Sequence, residues 1–134
     1  MISKYARERA ATLLRRLAFR ANRAARQRDP GCIHDLRVSI RRFQQCLLVF
    51  ERFFPRGESK KIHRRLHKIM TLTGEIRNRD IAHQLLKTSG VAPDSAVYDR
   101  LRQESREYYN ELSSRLRRWG TRDISRKWAS RLRL

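Results

Sequence analysis

Arginine dominates the reactive side chains: 27 of the 33 Lys and Arg residues are Arg. Stepping about 100° per residue along the segment from Cys32 places His34, Arg37, Arg41, Gln45 and Arg52 on one helical face, with Arg42 at the edge of the apolar stripe opposite. Lys61, Arg64, Arg65 and Lys68 form a second strip, with Arg77 and Arg79 further along, and Arg9, Arg16, Arg20 and Arg23 form a third. Guanidinium groups recurring every turn, about 5.4 Å apart, present planar two-pronged donors. They match the oxygens of a repeating phosphate chain better than isolated carboxylates. The chemistry implied is capture of a polyanion, which needs no bond to be made or broken.

Reaction chemistry is harder to assemble. His63 and His67 have the i, i+4 spacing of a metal pair, but no third ligand shares their face and the neighbouring Arg and Lys would repel a cation. No metal and no cofactor is expected. Phosphoryl transfer wants carboxylates to hold magnesium, and the 13 acids are scattered, those of the last third reading as i, i+4 partners of Arg. The chain lacks a Gly-x-x-x-x-Gly-Lys loop and a nucleophile beside a base, so no enzyme activity is expected.

A net charge of +20 on 134 residues repels itself, and a polyanion partner relieves that strain. Hydrophobic residues make up 40% of the chain, enough for the modest core of one folded domain. No apolar stretch is long enough for a membrane span and no signal-peptide core follows the N-terminus, so the expectation is a cytoplasmic protein without membrane contact. Cys32 and Cys46 lie too far apart for a bridge and read as reduced core thiols.

The elements that must carry these stripes are helices. The spacing of Ala10, Leu13, Leu14, Leu17, Ala21 and Ala24 predicts a helix from Ser3 to Arg28, broken by Asp29-Pro30-Gly31. A second is predicted from Cys32 to Phe54 on Leu36, Ile40, Phe43, Leu47, Phe50 and Phe54, and a third from Glu58 to Thr88 on Ile62, Leu66, Ile69, Thr73 and Ile76. Gly74 interrupts the third at a cost of about 1 kcal/mol relative to Ala, which points to a close approach there. The fourth follows Pro93, capped by Asp94 or Ser95, with Val97, Leu101, Tyr108, Leu112, Leu116 and Trp119 inward. No segment alternates with period two, so the expected class is all-α: an antiparallel four-helix bundle over residues 1–120, with a short basic C-terminal extension, tail or short helix, at 121–134.

The run Ile33-His34-Asp35-Leu36-Arg37-Val38-Ser39-Ile40-Arg41-Arg42-Phe43 resembles the opening signature of the CHAD domain, the conserved histidine α-helical domain, which reads His-x-x-Arg-Val-x-x-Arg-Arg. Downstream, Gly74-Glu75-Ile76-Arg77-Asn78-Arg79-Asp80-Ile81 resembles that family's Gly-x-x-Arg-Asp-x-Asp-Val segment, departing at Asn78, where the family commonly has its first Asp. The resemblance covers roughly residues 1–115.

It implies a module that binds inorganic polyphosphate and accompanies polyphosphate granules or polyphosphate-metabolising enzymes. It also implies two bundles related by a pseudo-twofold axis around a basic groove. This chain carries one, so a homodimer supplying the second half is the expected assembly. The residues expected to face polyphosphate are His34, Arg37, Arg41, Arg42, Arg64, Arg65 and Lys68, and a protonated His34 would make binding pH-dependent. The alternative function is sequence-nonspecific binding of an RNA or DNA backbone, with Tyr5, Tyr109 and Trp128 as the available stacking groups.

Overall fold

The computed structural model describes residues 1–134 and is all-helical. Its elements are α1 (Ile2–Arg26), α2 (Pro30–Val49), a single 3-10 turn (Glu51–Phe53), α3 (Glu58–Thr88), α4 (Ala96–Thr121) and α5 (Ile124–Arg131). α1 packs against α2 and α4, and α3 packs against the same two helices, so each of the four long helices has two neighbours around one core. No helix is long and apolar enough to cross a membrane.

Local chemistry sets the boundaries. The Asp29 side chain accepts a hydrogen bond from the Gly31 N–H at 3.1 Å, and Pro30 occupies the first turn, where its missing N–H costs nothing. Gly57 caps the start of α3 at φ 83°, a left-handed conformation that disfavours any side chain. The inward stripes of α1 and α3 are buried as the spacing predicts, and so are Leu36, Ile40, Phe43 and Leu47 of α2. Cys32 and Cys46 are buried free thiols, their ionisation pushed up by burial.

Two expectations are corrected. The second helix ends at Val49 rather than Phe54. The chain tightens into the 3-10 turn, which buries Phe54 and leaves Phe50 edge-on to Tyr5 with ring centroids 5.9 Å apart. At the start of α4, Tyr98 is inward, 5.0 Å from the His83 ring, and Val97 is half exposed. For residues 121–134, where a tail or a short helix was expected, the structure forms the short helix. α5 packs on α1 and α4, and Ile124, Trp128 and Leu132 join the main core, with Trp128 stacked 6.3 Å from Phe43.

Candidate polyanion-binding surface

Basic side chains gather in grooves between the helices. Between α2 and α3 lies a groove of about 690 Å³ lined by His34, Arg37 and Arg41 from one side and Arg77 from the other. Between α1 and α2 lies one of about 670 Å³, lined by Arg15, Arg16, Arg20, His34 and Arg42. His34 stands on the ridge that the two grooves share, so they form one surface spanning three helices. Its only lining acids are Asp35, which pairs with Arg20 at 3.3 Å, and Asp80.

A separate cleft opens where α3, α4 and α5 meet. Arg65, Lys68, Arg115, Arg118 and Arg122 line a concavity of about 260 Å³, and Arg65 and Arg122 continue with Lys127 and Arg131 into a neighbour of about 180 Å³. Trp119, Trp128 and Ile124 form its floor.

The seven residues singled out from the sequence therefore do not make one site. His34, Arg37, Arg41 and Arg42 line the first surface, Arg65 and Lys68 the second cleft, and Arg64 is exposed on the outer face of α3, lining neither. Sequence reasoning missed Arg115, Arg118, Arg122, Lys127 and Arg131. Their basic spacing was legible, but the convergence of Arg115, Arg118 and Arg122 on α3 depends on how α4 packs there, and that of Lys127 and Arg131 on where α5 folds back. Arg52 leaves the row on α2 because that helix has already ended, and its guanidinium lies over the Phe53 ring at 4.9 Å.

Arg37 has a position of its own. Its Nη1 donates to the Met70 carbonyl at 2.9 Å and to Thr73 Oγ1 at 2.8 Å, tying α2 to α3. A side chain at Gly74 would bring its first carbon within 3.4 Å of that same nitrogen. At that distance the contact is ordinary, so an alanine fits and the approach is less close than the glycine's cost implied. Arg37 Nε is buried without a partner, and burial, then repulsion from Arg41 and Arg77, holds the guanidinium below the usual arginine range. Arg37 is thus part brace, part groove wall.

Arg79, placed with Arg77 by the sequence, faces the other way. It bonds Glu75 on its own helix and Glu104 on α4, the latter at 3.0 Å, and lies 4.6 Å over the Tyr108 ring. Burial alone would lower its ionisation, but the two carboxylate bonds outweigh that and hold it raised. Asp80 sits across the helix in the α2/α3 groove, where burial pushes its carboxyl above the usual range against an opposing pull from His83. Tyr109 is pushed up to about 12 by burial and by Asp80.

Of the three aromatic side chains available for stacking on bases, Tyr109 and Trp128 are buried in the core, and only Tyr5 is exposed. His63 is half-buried, and burial lowers its ionisation despite Glu51 nearby.

No curated protein and no solved structure matches the chain significantly. The CHAD domain matches residues 8–133, nearly the whole length, and that span includes both the His34–Arg42 run at the groove ridge and the Gly74–Ile81 run that Arg37 braces. The chain belongs to the CHAD domain family.

Proposed function

We propose that this chain is a non-catalytic binder of inorganic polyphosphate, acting through the basic surface centred on His34 in an antiparallel four-helix bundle. The observation that carries the reading is the placement of the family's His34, Arg37, Arg41 and Arg42 run along two adjoining grooves, facing Arg77 and the arginines of α1. Family membership supports an association with polyphosphate. Each engaged phosphate releases condensed counterions, while arginine forks hold the oxygens in register. Granule association and contact with polyphosphate-metabolising enzymes are proposed on the same ground. So is a homodimer, two copies bringing their His34 surfaces to a shared groove as the family's paired bundles do.

The test is a binding isotherm for long-chain polyphosphate across salt, read together with the mass of the complex by light scattering. Affinity is expected to fall steeply with salt, as nucleic-acid binders engaging 6–10 phosphates lose ~10³–10⁵ between 50 and 200 mM. Arg41→Ala with Arg77→Ala should weaken binding and reduce the log–log salt slope by about 1 per base removed. An unchanged slope would overturn the assignment of this surface. Backbone binding to RNA or DNA is the competing reading, favoured by the same guanidinium rows. It wins if single-stranded RNA displaces polyphosphate at equal phosphate concentration.

A further inference from the structure

We infer that the α3/α4/α5 cleft is a second, independent polyphosphate site, so that one molecule joins two polyphosphate strands and condenses long chains. The inference rests on the polyphosphate reading above and adds a second place of attachment and a cross-linking activity to it.

The cleft is built differently from the His34 surface. No acid lines it, although the lining Arg115 pairs with Glu111 at 3.3 Å. α5 creates it: Ile124, Trp128 and Leu132 anchor that helix in the core, which turns Lys127 and Arg131, one turn apart, toward Arg65 and Arg122. The indole and isoleucine floor keeps water from one side of the bases, which strengthens charge-assisted bonds to phosphate oxygens.

It is also distinct in space. Along α3, Lys68 and Arg77 are nine residues apart, about 13 Å at ~1.5 Å rise per residue. They stand on opposite flanks of the buried Leu66, Ile69, Thr73 and Ile76 stripe. No residue is shared between the two surfaces. A strand seated in one leaves the other open for a second strand. Two sites on one rigid body linking chains that each carry many phosphates are the condition for a network.

The experiment uses the whole chain with short- and long-chain polyphosphate. By calorimetry, short chains should bind the wild type at two independent classes of site. Arg118→Ala with Arg122→Ala should remove one class, and Arg41→Ala with Arg77→Ala the other. With long chains the wild type should turn turbid, while the Arg118/Arg122 variant binds yet stays clear. A control with equal charge loss at exposed positions lining neither surface, Arg7→Ala with Arg56→Ala, should remain turbid. Circular dichroism melts verify that all variants fold. A single class of site, turbidity persisting in the Arg118/Arg122 variant, or turbidity lost equally in the control would overturn the inference. Absence of binding at both surfaces would instead overturn the polyphosphate reading itself, and the inference with it.

Discussion

At position 74 the missing side chain leaves room for the Arg37 guanidinium, and this sets how far substitution can go. Gly74→Ala places a carbon 3.4 Å from Nη1, ordinary contact, and gains helix propensity, so it should stabilise the fold by up to ~1 kcal/mol in urea denaturation. Gly74→Val should displace the guanidinium from Met70 and Thr73 and cost about 1–3 kcal/mol by the same measurement. Asp80 offers a pH test. Its carboxyl is raised on folding, so its stabilising contribution is fully present below the usual carboxylate range and is lost as pH rises through the raised value. Asp80→Asn should therefore raise the melting temperature at neutral pH and leave it nearly unchanged in acid. It should also tighten polyphosphate binding by removing a negative charge from the groove. Among single residues, His34 and Arg41 could be placed from the helical wheel alone. The bonds that divert Arg37 to α3 and Arg79 to α4 could not, because they depend on how neighbouring helices are rotated against one another.

At the scale of elements, α1 and α3 were readable because each carries a long apolar stripe that only one helical phase can bury. α5 was readable only as a tail or a short helix, since eight residues rich in Arg, Lys and Ser also look like a solvated tail. Its signal was nevertheless present, with Ile124, Trp128 and Leu132 recurring every fourth position. Trp128→Ala should cost about 3–5 kcal/mol, the range for truncating a large buried aromatic, with the loss measured by chemical denaturation. Lys127→Ala, on the exposed side of the same helix, should stay within ~0.5 kcal/mol. The end of α2 was misread for a related reason: Phe50 and Phe54 continue the apolar periodicity, but burial of Phe54 is achieved by a tightened turn rather than by more α-helix.

For the whole molecule, the +20 charge makes folding and ligand binding one linked equilibrium. Polyphosphate at 100 times its dissociation constant should stabilise the native state by about 2.7 kcal/mol per site, seen as a rise in melting temperature that fades as salt is added. An uncharged polymer should produce no such rise. The basic grooves also differ in what surrounds them. Both of the chain's tryptophans, Trp119 and Trp128, stand edge to face 5.4 Å apart beneath the α3/α4/α5 cleft, and the His34 surface contains none. The protein thus carries its own optical reporter: ultraviolet emission is blind to one groove and responsive to the other, so the order in which they fill can be followed without a label.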